Sequence, residues 1–181
     1  MGLTVPPGRT HMFYTGTPEF AFGAGLSYTE WGMAWNSSQS HAQGDELVFS
    51  LAEEAALKAT AGYKGKPLQV QLSNTGGLAG RQTLLMFWRP VDVADAGTSG
   101  GSKALKLRQK LLAYRGTGDL VKPGTTKSLV FDVAVDALAM VPEGATDGTK
   151  VVALGRYELV VSDGNTAAGA KTLTRTLRVV A

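Results

Sequence analysis

Residues 68–88 read LQVQLSNTGGLAGRQTLLMFW, and this stretch decides the fold class. Leu68–Ser73 alternate apolar and polar side chains, which is typical of a β-strand with one buried face. Asn74–Gly80 is a predicted turn, because asparagine and glycine adopt positive φ angles that other residues resist. Gln82–Trp88 predicts the next strand, which Pro90 closes. A period of two runs through the stretch and predicts β-structure.

The strand pattern continues on both sides of this stretch. Leu105–Tyr114 mixes leucine with basic residues and is either a further strand or a helical turn. Gly32 is a candidate bulge position in the first strand of the chain. Six or seven short strands without a βαβ rhythm predict an all-β sandwich. Four of these strands are bounded by turn signals and rich in β-favouring residues: Leu26–Trp35, Ser128–Val133, Gly155–Val161 and Thr172–Val180.

One segment, Asp45–Thr60, has the spacing of a helix. Asp45 is a candidate N-cap, and the apolar residues between Leu47 and Ala55 recur with a period of 3.6. The same residues allow a second interpretation, in which Leu47–Leu51 forms a short strand. Both interpretations remain open at this point.

The composition excludes several kinds of site. The chain has 181 residues with no cysteine and two histidines, which rules out disulfides, thiolate metal sites and three-histidine metal sites. We expect no cofactor and no metal. A net charge of +3 without a run of basic residues predicts no nucleic-acid partner. No apolar stretch approaches the ~18 residues of a membrane span, and the first residues lack the pattern of a signal peptide, so no membrane partner is expected.

Three tryptophans are the candidate ligand-binding residues. Trp31, Trp35 and Trp88 are candidates for stacking on sugar rings, as exposed aromatic residues do in carbohydrate-binding modules. Strand alternation instead places Trp88 beside Leu84 in the core, and it places Trp31 and Trp35 on one face, in the core or at a domain interface. No pair of carboxylates is marked as facing one cleft, so we expect no catalytic residue in this chain. Asn36 begins an Asn-Ser-Ser triplet and is a candidate N-glycosylation site.

Several stretches, in order, resemble one known family. Pro7–Thr10, Tyr14–Gly16 and Phe22–Thr29 look like the PGRT…YTG…FGxGLSYT passage of glycoside hydrolase family 3 enzymes, in the β-xylosidase / α-L-arabinofuranosidase branch. In those enzymes the passage leads into a C-terminal fibronectin type III-like domain. Asn74–Gly80 resembles the family's NTG…AG hairpin, and residues 152–159 resemble its VPLGxYxL segment. The resemblance covers nearly the whole chain.

The resemblance implies a fibronectin type III-like sandwich that is not itself a catalyst. The family's nucleophile and acid/base lie in preceding domains, and no residue here matches either motif. It implies an accessory domain of an enzyme acting on xylan or arabinoxylan oligosaccharides, packed against catalytic domains of the same chain. Polysaccharide is a further candidate partner. Family members are commonly secreted, which would place the parent enzyme outside the cell or in the cell wall. Two alternatives stay open, a free-standing carbohydrate-binding module and a generic protein-binding sandwich.

The chain divides into an arm, residues 1–25, and a domain, residues 26–181. The arm is rich in proline, glycine and aromatic residues, and it lacks any period, so we expect it to be extended and to need a surface. Both faces of the strand Gln82–Trp88 are apolar, although a two-layer sandwich buries only one face of each strand. Cover of that second face by the arm is one alternative. The prediction is an exposed apolar docking patch formed by Phe13, Tyr14, Phe20, Phe22, Leu85 and Phe87.

Overall fold

The computed structural model describes residues 5–36, 46–93, 107–141, 146–164 and 172–181. Within these ranges the chain forms two short α-helices, one 3₁₀ turn and eight strands. In chain order they are α1 (Thr10–Phe13), β1 (Trp31–Trp35), β2 (Glu46–Ser50), α2 (Leu51–Lys58), β3 (Lys66–Asn74), β4 (Thr83–Val93), β5 (Lys110–Gly116), β6 (Thr126–Val133), the 3₁₀ turn Val135–Leu138, β7 (Gly155–Ser162) and β8 (Thr172–Val180).

The strands form two sheets that pack face to face. The first sheet has the order β1-β3-β6 and the second has the order β2-β8-β7-β4-β5. Neighbouring strands run antiparallel, except that β2 runs parallel to β8. The connections β4–β5 and β7–β8 stay within one sheet, and the others cross between the sheets, as in Greek-key sandwiches. The predicted all-β sandwich is confirmed.

The core lies between the sheets, and period-two alternation sorts the residues that enter it. In β3, Leu68, Val70 and Leu72 are buried, whereas the intervening Gln69 and Gln71 are half-buried. Burying a side chain of this size contributes about 1.5–3 kcal/mol, so these strands supply much of the folding free energy. The largest fully buried side chains of the core are Phe49, Leu72, Leu84, Met86, Trp88, Phe131, Leu138, Tyr157, Leu159 and Leu177.

A tyrosine at the start of β7 fastens the loop that enters this strand. The hydroxyl of Tyr157 donates a hydrogen bond of 2.6 Å to the carbonyl oxygen of Ala153, four residues upstream. The Tyr157 ring meets Trp88 edge to face, with centroids 5.6 Å apart. Burial raises the pKa of Tyr157 to about 12. A buried tyrosine bonded back to its own entering loop is the tyrosine corner of immunoglobulin-like sandwiches.

Gly155 lies between Ala153 and Tyr157 in the chain. Its φ is 133°, and an added Cβ at this position would clash with the Asp92 carbonyl oxygen. Only glycine allows this close approach of β7 to β4.

The segment predicted as the helix Asp45–Thr60 divides into a strand and a helix. Leu47 and Phe49 are buried and alternate with exposed Val48, because β2 pairs in parallel with β8. The helix starts only at Leu51, where the N–H of Glu53 donates to the Ser50 hydroxyl at 3.4 Å. The N-cap is therefore Ser50. The predicted cap Asp45 lies outside the described residues.

Three further expectations need correction. Strand β4 does not close at Pro90 but continues to Val93, with a register shift beyond the proline. The pairing of β4 with β5 ends at Trp88 in the described residues. Pro90, which has no N–H to donate, therefore costs no hydrogen bond between β4 and β5. Gly32 is not a bulge, because β1 pairs with β3 without a register shift. The segment 75–82 is not a hairpin, since it joins β3 and β4 in different sheets.

The ambiguous segment Leu105–Tyr114 contributes to strand β5 rather than to a helix. Residues Lys110–Gly116 pair antiparallel with β4, while residues 105 and 106 lie outside the described ranges.

Candidate functional site

The N-terminal arm lies against the second sheet and is held there by backbone and side-chain contacts. The N–H of Arg108 donates to the carbonyl oxygen of Met12 at 2.7 Å, and its Nη1 donates to that of Tyr14 at 2.9 Å. Met12 and Phe13 pack against the core. Gly23, at a φ of 88°, lies so close to Leu85 that an added Cβ would clash with it. The arm is thus fastened at the C-terminal end of α1 and again at Gly23.

An aromatic cluster of His11, Phe22 and Phe87 joins the arm to β4. The His11 ring stacks on Phe22 with centroids 4.1 Å apart and an interplanar angle of 26°. Both rings meet Phe87 edge-on, at 6.0 Å from His11 and 5.9 Å from Phe22. Such geometries add about 0.5–1.5 kcal/mol per pair to the burial of the rings. The cluster therefore stabilises the arm on the sheet.

Phe87 is covered by this cluster and is only 4% exposed. The expectation that Phe87 forms part of an exposed patch is therefore wrong. The physical reason is that the arm supplies the third layer over the outer face of β4, which a two-layer sandwich lacks. Leu85, on the same face, is half-buried against Gly23.

The last part of the arm and the residues that follow it, up to β1, present apolar side chains to solvent. Phe20 is 78% exposed, Tyr28 is 96% exposed and Leu26 is fully exposed. We call these three residues the arm patch. Phe22 belongs to the cluster but leaves about half of its surface open, whereas Phe13 and Tyr14 are half-buried on the domain side. Of the six predicted interface residues, Phe20 and Phe22 thus keep exposed surface of the kind that a docking partner would need.

A polar residue that sequence reasoning did not single out for this role organises one end of the sandwich. Asn74 is buried, and its Oδ1 accepts bonds from the Thr29 hydroxyl at 2.7 Å and from the Gly76 N–H at 3.1 Å. Its Nδ2 donates to the carbonyl oxygens of Leu78 at 2.7 Å and Val121 at 2.9 Å. One side chain therefore fixes the segment between the arm and β1 and two loops. The sequence signal for this residue is the Asn-Thr-Gly triplet, from which local rules predict a turn but not the bonds to distant segments.

The three candidate sugar-binding tryptophans do not form one exposed platform. Trp88 is fully buried, and its indole N–H donates to the carbonyl oxygen of Ala137 at 3.2 Å. Trp31 and Trp35 are half-buried and pack against the core. The Trp35 indole donates to the carbonyl oxygen of Thr174 at 3.1 Å. Trp88 is therefore excluded as a sugar platform, since no face of its ring reaches solvent.

Asn36 lies directly after β1 with its side chain half-buried. Its N–H donates to the carbonyl oxygen of Gln69 at 3.0 Å, and its Nδ2 donates to the Gln69 side-chain oxygen. The rest of the triplet, Ser37 and Ser38, lies outside the described residues. Glycosylation of Asn36 remains a prediction, and it would need this amide contact to open.

Four carboxylates of the described residues have partners within the fold. Lys58 pairs with Asp136, and Arg156 lies 3.5 Å from Asp92. Arg89 approaches Glu158 to 2.8 Å, as an ion pair without hydrogen-bond geometry. Glu54 is buried in α2 and accepts a bond of 2.7 Å from the Tyr63 hydroxyl, whose pKa is raised by burial and by that carboxylate.

Across the described ranges, no three acidic or histidine side chains come together in a way that would hold a metal ion. The helices in those ranges are also too short and too polar to span a membrane.

Comparison with known proteins shows where this arrangement occurs. The exo-1,4-β-xylosidase xlnD of Aspergillus oryzae is 32% identical over 163 residues, which is 87% of this chain and 18% of that protein. The probable β-D-xylosidase 7 of Arabidopsis thaliana is 26% identical over 168 residues, which is 87% of this chain and 20% of that protein. The chain therefore spans about a fifth of the length of the curated relatives it matches. A scan against protein-family models found no match.

Solved structures show the same fold within larger enzymes. A GH3 exo-β-xylosidase (XlnD) in complex with a xylobiose aziridine probe superposes with a TM-score of 0.67 at 22% identity, over 97% of this chain and 20% of that one. A β-glucosidase from Listeria innocua in complex with glucose superposes with a TM-score of 0.59 at 15% identity, over 99% of this chain and 22% of that one.

The two sheets, the tyrosine corner and the clamped arm define a fibronectin type III-like β-sandwich. The chain is homologous to a C-terminal part of glycoside hydrolase family 3 exo-xylosidases, and it resembles the fibronectin type III-like domain of those enzymes.

Proposed function

We propose that this chain is a non-catalytic accessory domain of a family 3 β-xylosidase acting on xylan or arabinoxylan oligosaccharides. It docks on the catalytic domains of that enzyme through the arm patch. The observation that carries the proposal is the exposure of Phe20, Leu26 and Tyr28, at and just beyond the end of an arm that is otherwise fastened to the sandwich. Covering each of these side chains would contribute about 1.5–3 kcal/mol, enough in sum to hold two domains together.

The relatives supply the partner that this surface needs. The chain matches 18% of the Aspergillus oryzae enzyme, so most of that protein lies outside the matched region. A domain whose arm exposes apolar rings and whose carboxylates are engaged in surface ion pairs is suited to packing rather than to catalysis. The division into an arm, residues 1–25, and a domain, residues 26–181, is part of the same proposal.

Two measurements test this function. The purified chain should not hydrolyse 4-nitrophenyl β-D-xylopyranoside above the buffer rate, and turnover would refute the non-catalytic role. The chain should also bind the separately produced remainder of the Aspergillus oryzae xylosidase, measured by calorimetry. Replacing Phe20, Leu26 and Tyr28 together by serine should weaken that binding by at least about tenfold, which corresponds to 1.4 kcal/mol.

The matched control replaces two apolar residues that are exposed on the sandwich, Leu57 and Val91, by serine. This control should bind like the original chain. Equal loss in both variants, or no binding at all, contradicts docking through the arm patch. Saturable binding to soluble xylan that disappears on Trp31→Ala or Trp35→Ala would instead support the carbohydrate-binding alternative.

A further inference from the structure

The aromatic cluster contains one ionisable side chain in surroundings that suit only its neutral form. His11 stacks on the face of Phe22, and Phe87 meets both rings edge-on from the side. Its Nε2 is buried, and no hydrogen-bond partner for it lies within the described ranges. A neutral imidazole needs to donate from only one nitrogen, whereas an imidazolium must donate from both. Protonation would therefore leave a buried N–H without an acceptor, next to two hydrocarbon rings.

The charged groups around the cluster offer His11 no compensating carboxylate in the described residues. Six bases and four acids belong to the arm, to the strands β4, β5 and β7 and to the residues next to these strands. Arg108 is engaged with the carbonyl oxygens of the arm, Glu158 is paired with Arg89, and Asp92 is paired with Arg156. Arg9 and Asp163 also have partners. The full set is Arg9, Glu19, Arg89, Asp92, Arg108, Lys110, Arg115, Arg156, Glu158 and Asp163.

We propose that His11 is a proton-sensitive latch, which fastens the arm to β4 while the imidazole is neutral and releases it when the ring is protonated. Release would uncover the inner face of Phe22 and the ring of Phe87, and it would free the arm to follow another surface. The latch concerns the arm's attachment to its own sandwich, so it does not depend on which partner the arm patch meets.

The direction of the pH effect follows from proton linkage. Burial lowers the pKa of His11 below its usual 6.5 in the docked state, whereas the released arm returns the ring to water. The docked arm therefore binds fewer protons. Docking is at full strength above pH 6.5 and weakens as the pH falls through the lowered pKa. Each unit by which the pKa is depressed makes the docked arm about tenfold less favoured in acid.

An NMR titration of the full chain measures the latch directly. In the His41→Gln variant, His11 is the remaining histidine, and its ring signals should titrate with a pKa below 6.5. Phe22→Ala opens the cluster and should bring that pKa back toward 6.5. The titration reports the net effect, including any attraction of the imidazolium to the Phe22 ring. A pKa of 6.5 or above in the unaltered cluster overturns the proposal.

Amide hydrogen exchange tests whether protonation moves the arm. After correction for intrinsic rates, the amide of Arg108, which donates to the arm at the Met12 carbonyl oxygen, should exchange about tenfold faster at about pH 5 than at about pH 7.5 for each unit of depression, and the amides of Leu159 and Val161 should not change. His11→Phe should abolish this pH response, while the matched control His41→Phe should retain it. The same pH response in both variants contradicts the latch.

Discussion

At the scale of single residues, Asn74 decides how the arm meets the sandwich. Its side chain makes two bonds as an acceptor and two as a donor, to groups in three different segments. Its main chain adds two more, since its N–H donates to the Thr125 carbonyl and its own carbonyl accepts from Gly124. This buried amide pairs all of its donors and acceptors. It therefore specifies one arrangement of the three segments, which an apolar residue of the same size would not do, because the partner groups would then be left without hydrogen bonds.

Replacing Asn74 by alanine should lower the free energy of unfolding by about 2–4 kcal/mol, because two carbonyls, one hydroxyl and one N–H lose their partner. Asn74→Asp should cost at least as much, since a carboxylate would face the carbonyl oxygens of Leu78 and Val121. Urea denaturation of both variants measures the loss. Thr75→Ala, one residue further along and exposed, is the control and should change the stability by less than about 0.5 kcal/mol. A loss as small as the control's in Asn74→Ala would contradict the role of the amide.

At the scale of elements, the junction between β2 and α2 depends on one side chain. The Ser50 hydroxyl accepts the N–H of Glu53 at the start of the helix. It also donates to the carbonyl oxygen of Ala181 at 3.1 Å, which ties the end of the chain to the edge of the second sheet. The same residue thus ends a strand, starts a helix and holds the C-terminus.

Ser50→Ala should cost about 1 kcal/mol, the usual loss for an N-cap. Ser50→Thr keeps the hydroxyl and should retain most of the stability. Thermal unfolding followed by circular dichroism compares the two variants. Ser128→Ala, at an exposed position of β6, is the matched control and should leave the midpoint nearly unchanged. If Ser50→Ala and Ser128→Ala have the same midpoint, the cap does not contribute.

At the scale of the whole molecule, the second sheet is covered on both sides at β4, whereas the outward residues of β8 stay exposed. The first sheet packs against its inner face, and the arm packs against its outer face through the aromatic cluster. The arm therefore has two sides with different roles. His11 and Phe22 face the sheet, while Phe20, Leu26 and Tyr28 face outward.

This arrangement predicts opposite results for two phenylalanine substitutions. Phe87→Ser should destabilise the domain by about 3 kcal/mol, because it removes a buried ring and leaves a hydroxyl under the arm. Phe20→Ser should cost less than about 0.5 kcal/mol and should reduce self-association of the chain. Denaturant unfolding and sedimentation velocity on both variants measure these effects. A stable and more soluble Phe87→Ser protein would show that the arm does not cover β4.

The sequence by itself determined the class of fold and most of the strands. Alternation in Leu68–Ser73 and Thr172–Val180 is a local property, because the side chains of a strand point to opposite faces whatever the strand pairs with. The aromatic, glycine-rich arm and its family resemblance were equally visible in the sequence. The structure adds that Gly23 and Gly155 stand where the backbone approaches other residues too closely for a side chain.

Only the tertiary structure decided which surfaces these elements cover. Leu47–Leu51 is compatible with a helix or a strand, and the choice depends on β8, more than 120 residues away in sequence. An apolar Phe87 is compatible with a covered position and with an exposed patch, and its burial depends on the position of a distant arm. Asn74 is suited to a turn by local rules, while its role as a link between three segments exists only once they meet. Pairing partners and covering layers are long-range properties, because a short run of residues carries its own conformational preferences but not the identity of its neighbours in space.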